Sequence, residues 1–277
     1  MAYTAASERS VSIANSVIFY LESGRDFPLL LLHGIGHSST AWLRSIAELA
    51  QRHRVLAPDF PGFGRSAAPG GLYDPTYFAQ TVTGFMDALE LHRVDAIGSS
   101  LGGLALLLAA LERPRAFRKI VLVDPVGFTS SPRPPLEGAL LALIQLWLLL
   151  PRSIGVIRGG YATAFFDPEK VDEPTVAEIA QRAANPAAKI VGRRTLHGIF
   201  RFSRRLEHFH KRLEALRLPG LLIWGKNDPV LPAADAEIAV RILPSLRVEI
   251  FDRCGHLPHI ERPAEFCTLA LEFLEQP

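Results

Sequence analysis

The sequence predicts an α/β fold built on a mostly parallel sheet with helices on both faces. Three observations carry that expectation. Short β-rich runs alternate with helical segments along most of the 277 residues. One run, Pro28 to Leu32, is continuously apolar, as a central strand covered on both faces must be. Gly98-Ser99-Ser100-Leu101-Gly102 then places a serine between two glycines where a strand runs straight into a helix.

In chain order, Ser10 to Ala14 and Val17 to Glu22 read as strands, and a turn through Gly24-Arg25-Asp26 leads into the central strand. His33-Gly34-Ile35-Gly36 follows as a loop with free N–H groups. Ser38-Ser39-Thr40 caps a helix from Ala41 to Gln51 whose apolar face is Trp42, Ile46 and Leu49. Arg54 to Ala57 is a strand ending in the Pro- and Gly-rich loop Asp59-Phe60-Pro61-Gly62-Phe63-Gly64-Arg65-Ser66. A helix over Tyr77 to Leu91 precedes the strand Arg93 to Ile97, and the Leu/Ala-rich run Leu101 to Leu111 is a strong helix former.

Lys119 to Val123 is the next strand, ending in Asp124-Pro125. Alternation then stops, because Val126 to Arg205 carries helical runs, prolines and glycine turns without a strand pattern. The expected organisation is therefore a core of residues 1–125 and 206–277 with a helical lid, 126–205, inserted into it. Within the lid, Leu136 to Leu150 is apolar almost all round and offers Trp147 and several leucines to a cavity. Thr175 to Ala184 is amphipathic, and Arg193, Arg194, Arg201, Arg204 and Arg205 form a basic edge, read as a solvated face. The core pattern resumes with Leu221 to Trp224, a helix over Ala233 to Leu243, the strand Arg247 to Phe251 and a closing helix, Phe266 to Leu274.

Composition narrows the function classes. Apolar residues make up 48% of the chain and the net charge is only +2, with no charge block of the kind that binds nucleic acid. The N-terminus lacks the basic, apolar and small-residue sequence of a secretory leader. Leu136 to Leu150, interrupted by Glu137 and Gln145, is short for a membrane span. A cytoplasmic protein is expected, with a membrane partner the lesser expectation; no pattern specifies an oligomeric state. Cys254 and Cys267 match neither a disulfide framework nor a metal or redox spacing.

The serine turn defines the chemistry. A strained strand-to-helix turn lifts the Ser100 hydroxyl clear of the backbone and aims the Leu101 N–H at whatever the serine attacks. Ile35, in the loop after the central strand, is the expected second oxyanion donor. A serine needs a base near neutral pH, and the base needs a carboxylate to fix its tautomer. His256, after the last strand, is the best-placed imidazole, and Asp228 holds the corresponding place after the strand before it. Asp124 is the rival acid and His259 the rival base. His33, Asp59, Arg65 and Glu261 are expected to hold loops, and Cys254 to be a small buried residue.

Five motifs in this order resemble the α/β-hydrolase fold family: His33-Gly34, Asp59 to Ser66, Gly98 to Gly103, Gly225-Lys226-Asn227-Asp228-Pro229, and Gly255-His256-Leu257-Pro258. The resemblance covers nearly the whole chain. It implies an eight-stranded sheet with an antiparallel second strand and a helical cap between the sixth and seventh strands. It also implies a Ser100, Asp228, His256 triad and a hydrolase with no metal or cofactor. Serine at the elbow departs from the aspartate of epoxide hydrolases and haloalkane dehalogenases. The expected reaction is hydrolysis of a carboxylic ester of a smallish apolar substrate through an acyl-enzyme. Carbon-carbon bond hydrolases of ring-opened aromatic products are the nearest alternative, although such relatives often carry Asn and Trp where this chain has Ser99 and Leu257. Lactonase and perhydrolase activity, a ligand-binding receptor on a hydrolase scaffold, and an enzyme that rests on membranes through the Leu136 to Leu150 helix are the remaining alternatives.

Overall fold

The computed structural model describes residues 6–14, 16–128 and 153–276. Its centre is an eight-stranded sheet comprising β1 (Ser7–Ile13), β2 (Ser16–Ser23), β3 (Pro28–Leu32), β4 (Arg54–Pro58), β5 (Val94–Ser99), β6 (Phe117–Val123), β7 (Gly220–Gly225) and β8 (Leu246–Phe251). The spatial order is β1-β2-β4-β3-β5-β6-β7-β8. Strand β2 runs antiparallel to both its neighbours, and every pairing from β4 to β8 is parallel. The α/β-hydrolase fold is thus the one the motifs imply.

The alternation of side chains along the strands separates two cores. Leu30 and Leu32 of β3, Leu122 of β6, and Leu222 and Trp224 of β7 enter one cluster. Leu29, Leu31, Val121, Val123, Leu221 and Ile223 enter the other. Both faces are apolar because both are covered, so these strands read as unbroken hydrophobic runs. On the first face lie α2 (Pro75–Ala88) and α3 (Leu101–Glu112); on the second lie α1 (Leu43–Leu49) and, at the chain's end, residues 263–275. Trp42 and Trp224 are fully buried, and burial of a large apolar side chain contributes on the order of 2 kcal/mol.

Local chemistry sets the helix ends. Asp74 accepts the Tyr77 N–H at 2.9 Å and Pro75 occupies the first turn, so α2 starts two residues before the expected Tyr77. Ser38 caps a short 3-10 turn, Ser39–Trp42, which precedes α1; the predicted helix from Ala41 is therefore divided. Between β6 and β7 the described chain is helical: α4 (Ile154–Ala162), α5 (Glu173–Ala184), α6 (Pro186–Ser203) and α7 (Leu206–Leu213). The apolar run Leu136 to Leu150, with Trp147, lies outside the described residues. After β7 come α8 (Asp235–Ile242), α9 (Pro258–Glu261) and α10 (Pro263–Glu275). A third apolar cluster joins Tyr161, Phe165, Val171 and Val176 of the inserted segment to Ala41, Leu257 and Ile260 of the core. Among the described residues no helix is long and apolar enough to cross a membrane.

Because β3 to β8 run the same way, their carboxyl ends share one rim, the edge at which such sheets hold ligands. His33, Asp59, Ser100, Asp124, Asp228 and His256 all follow strand ends on that rim.

Candidate active site

Ser100 separates β5 from α3 with φ +52° and ψ −115°, a region L-residues avoid. Its N–H bonds the Val123 carbonyl at 2.9 Å, pinning the turn to β6. A serine before a helix ordinarily caps it with its own hydroxyl. Here the side chain makes no capping bond, so the hydroxyl is left for other work. The turn is also too tight for side chains on its flanks: a β-carbon at Gly98 would fall 2.6 Å from the Gly102 carbonyl oxygen. Gly34 lies close by, and a β-carbon there would be 3.1 Å from that of Ser100. The N–H groups of Ile35 and Leu101 have no acceptor among the described residues. They flank the serine from β3 and from the start of α3.

His256 Nδ1 lies 2.7 Å from Asp228 Oδ2, whose side chain is wholly shielded from water. The loop carrying Asp228 is held on both sides, with Lys226 N–H on the Phe251 carbonyl and Asn227 N–H on the Cys254 carbonyl, each at 2.9 Å. Asp228 Oδ1 accepts the N–H groups of Val230 and Leu231 at 2.7 and 2.9 Å, leaving Oδ2 for the imidazole. The His256 backbone N–H bonds the Ala164 carbonyl of the inserted segment at 2.7 Å. Glu261 accepts the N–H groups of Gly255, Phe166 and Asp167 at 2.8, 3.2 and 2.9 Å. The histidine loop is therefore tied to the segment that follows β6.

Asp124 stands beside this pair. Ligand atoms of Asp124, Asp228 and His256 lie within 4.8 Å of one another. Asp124 Oδ1 accepts the Gly225 N–H at 2.9 Å, and Oδ2 is buried with no partner. Burial, followed by the neighbouring Asp228 charge, raises the Asp124 carboxyl well above the usual carboxylate range. A proton on Oδ2 turns it from a repelling charge into a donor facing Asp228. Between the two candidate acids, only Asp228 bonds the imidazole.

The other histidines are more deeply placed. His33 accepts the Phe60 N–H at Nε2, 2.9 Å away, and Nδ1 lies 2.8 Å from the Gly34 carbonyl. Those two bonds require the neutral Nδ1–H tautomer, and burial holds its pKa down to about 3. His33 thus shapes the loop that carries Ile35. Asp59 accepts the N–H groups of Ser39 at 2.6 Å and Arg65 at 2.8 Å, so it too holds backbone. His259 is buried with its ring 4.3 Å from that of Trp42, and neither nitrogen has a partner. Cys254 is unpaired and buried, and burial pushes its thiol up, away from the reactive thiolate.

A cavity of about 240 Å³ opens between the Ile35-Gly36-His37 loop and the inserted helices. Phe63, Ile157, Ile179 and Leu196 supply apolar wall, and Arg182 and Lys189 supply cations. Arg182 stacks over the Phe63 ring at 4.4 Å and donates to the Gly62 carbonyl at 3.1 Å, while its Nη1 is buried without a partner. His37 packs edge-on to Tyr161, and burial followed by the His256 and Arg182 charges lowers its pKa to about 4.

A family model described as the alpha/beta hydrolase family matches residues 29–269. The chain belongs to the alpha/beta hydrolase family. An uncharacterized protein of Mycobacterium tuberculosis is 30% identical to this alpha/beta hydrolase over 89% of the chain and 75% of its own length. The 2-hydroxymuconate semialdehyde hydrolase of Pseudomonas sp. strain CF600 is 29% identical over 92% of this chain and 89% of its own. Among solved structures, a bacterial membrane phospholipase A is 29% identical with a TM-score of 0.81, covering 98% of this chain and 86% of that one.

The sequence pattern of this alpha/beta hydrolase does not single out His37 or Arg182. The Glu178 and Arg182 spacing of four is that of a surface ion pair on an amphipathic helix. Instead Glu178 Oε2 accepts the hydroxyls of Ser38 and Thr40 at 2.7 and 2.6 Å, joining α5 to the loop after β3. The only available signal was a run of three hydroxyl residues, Ser38 to Thr40, longer than one helix cap needs.

Proposed function

We propose that this chain is a serine hydrolase that cleaves carboxylic esters of smallish apolar acyl groups, with Ser100 as nucleophile, His256 as base and Asp228 as its acid. The observation that carries this reading is the 2.7 Å Nδ1 to Oδ2 bond on the rim that also bears an uncapped serine at φ +52°. With Nδ1 donating to Asp228, Nε2 is the lone-pair nitrogen that takes the Ser100 proton as Oγ adds to the acyl carbon. The Ile35 and Leu101 N–H groups receive the oxyanion. The protonated imidazole then returns its proton to the departing alcohol, and a water activated by the same nitrogen releases the acid. Residues 126–205 act as the lid, and the cavity of about 240 Å³ suits a small apolar acyl chain. The substrate is a small molecule, and two buried, unpaired cysteines fit a reducing cytoplasm.

One observation favours a second reading. The unpartnered Nη1 of Arg182 on the cavity wall is suited to a substrate carboxylate, as in a ring-opened dienoate. That would make the reaction a carbon-carbon hydrolysis like that named for the Pseudomonas relative. Ser99 and Leu257, where carbon-carbon hydrolases often carry Asn and Trp, weigh against it. Turnover of p-nitrophenyl esters of increasing chain length beside a ring-opened dienoate decides between them. Faster acyl-ester turnover, abolished in Ser100→Ala, supports the esterase; preferential cleavage of the dienoate replaces it. Tight binding of both with no product would make the protein a receptor.

A further inference from the structure

Helix α6 divides two concave regions. Ala188, Gly192 and Leu196 face the cavity beside the oxyanion loop. Val191, Thr195 and Gly198 are buried in a seam, where a β-carbon at Gly198 would lie 2.7 Å from Asp74 Cα. Arg193, Arg194, His197 and Arg201 face a second, open groove of about 510 Å³, completed by Arg205 and by the loop entering α2. All five side chains are exposed. None of the four arginines has a carboxylate within ion-pair distance among the described residues. Arg194 donates one bond, to the Gly71 carbonyl at 3.1 Å. Asp74 is the one carboxylate on the groove wall, and its Oδ1 is engaged by the Tyr77 N–H.

We propose that this groove docks the protein on an anionic phospholipid surface. Uncompensated arginines are unusual on a chain whose net charge is only +2, and three of them, Arg193, Arg194 and Arg201, lie on the groove side of one helix. Arg193, His197 and Arg201 recur every four residues, so the row extends about 12 Å along the axis at 1.5 Å per residue. A row of that length exceeds one phosphate and matches a plane of headgroups. Apolar side chains lie among the cations: Leu72 is 70% exposed and Ile190 49% exposed, and both line the groove. Guanidinium groups with apolar neighbours are the composition of an interfacial contact, cations on phosphates and aliphatic tips at the acyl boundary. Docked in this way, α6 would put its opposite wall, the one facing the apolar cavity, within a helix diameter of the bilayer. The docking is peripheral and uses α6, where the sequence offered Leu136 to Leu150 as the weaker, membrane-resting alternative.

The test is co-sedimentation of the full chain with vesicles of phosphatidylglycerol and phosphatidylcholine, against phosphatidylcholine alone, at low and high salt. The expected result is binding to the anionic vesicles only, released at 1 M salt, where screening shortens to about 3 Å. Each arginine near such a surface contributes about fivefold in partitioning, so R193Q/R201Q should weaken binding about 25-fold. Arg93→Gln with Arg115→Gln removes the same charge from the opposite, amino-terminal end of the strands and should weaken it less than about fivefold. Leu72→Ser with Ile190→Ser should weaken the binding that remains at intermediate salt. Circular dichroism and thermal midpoints of all variants matching wild type exclude misfolding as the cause. Failure to bind anionic vesicles, or equal loss in the control pair, overturns the proposal. So does a thermal shift with inorganic phosphate that depends on Arg193 and Arg201 in a protein that ignores vesicles.

Discussion

Asp124 and Asp228 follow consecutive parallel strands and approach one another beside a single imidazole, yet only Asp228 bonds it, 2.7 Å from Nδ1. Two ionised carboxylates at that separation repel, and the more deeply buried Asp124 is the one whose pKa is driven up. Asn at position 228 would keep the shape but present an amide that stabilises no imidazolium. Asp228→Asn should therefore lower ester kcat by about 10,000-fold, as loss of a triad carboxylate does. Asp124→Asn keeps an acceptor for the Gly225 N–H and a donor towards Asp228, and should stay within about tenfold of wild type, a conservative change in a neutral hydrogen bond. The reverse ranking would move the acid to Asp124.

Ser100 holds its left-handed backbone at a cost of about 1–3 kcal/mol. Glycine has no such penalty but loses more entropy on folding. Ser100→Gly should therefore gain about 1 kcal/mol net, a rise of about 3 °C in Tm, while hydrolysis vanishes. A drop in Tm would show that the turn is unstrained.

His37 and His33 are buried and neutral, with pKa values near 4 and 3, below the ordinary 6.5. The unfolded chain therefore binds their protons first as pH falls from 6.5. Stability from each is present above 6.5 and is lost towards 4 for His37 and 3 for His33. Each group adds a slope of up to about 1.4 kcal/mol per pH unit. The raised carboxyls of Asp59 and Asp124 act in the opposite direction, so a difference between variants is the clean measurement. His37→Gln should reduce the slope of unfolding free energy between pH 4 and pH 6.5 by up to about 1.4 kcal/mol per unit, measured in urea. An unchanged slope would place a charged His37 in the native protein.

Glu261 gathers three N–H groups, from Gly255 beside the imidazole and from Phe166 and Asp167 in the insertion. Glu261→Ala leaves them without an acceptor and should cost about 1–3 kcal/mol. Because Gly255 precedes His256, kcat should fall with it while Asp228 stays intact. Urea unfolding and ester kcat, measured together, would show whether the two losses are linked; full activity at reduced stability would confine Glu261 to folding.

The sheet was legible in the residues because strands buried on both faces are written as unbroken apolar runs. The apolar run Pro28 to Leu32 has the same bounds as β3. Helix starts were blurred where the cap lies outside the periodic run, as Asp74 and Pro75 do before Tyr77. Ser100, Asp228 and His256 are legible as candidates because each sits in a Gly-marked loop after a strand, a local signal, and the structure brings Asp228 and His256 to 2.7 Å. Arg182 and Glu178 are not legible. Their partners, Gly62 and Ser38, are more than a hundred residues away, and nothing in a helical spacing of four distinguishes a solvated pair from one turned inward. The basic edge was visible as composition, but the groove it faces depends on Leu72 and Asp74 meeting α6 across the fold.

The bond from the His256 N–H to the Ala164 carbonyl has a practical side. Replacing the helices between β6 and β7 with those of a relative would remove a support of the proposed proton acceptor, His256, along with the wall of the cavity. Grafts that keep residues 164–167 should remain active, and the exchangeable portion begins only beyond them.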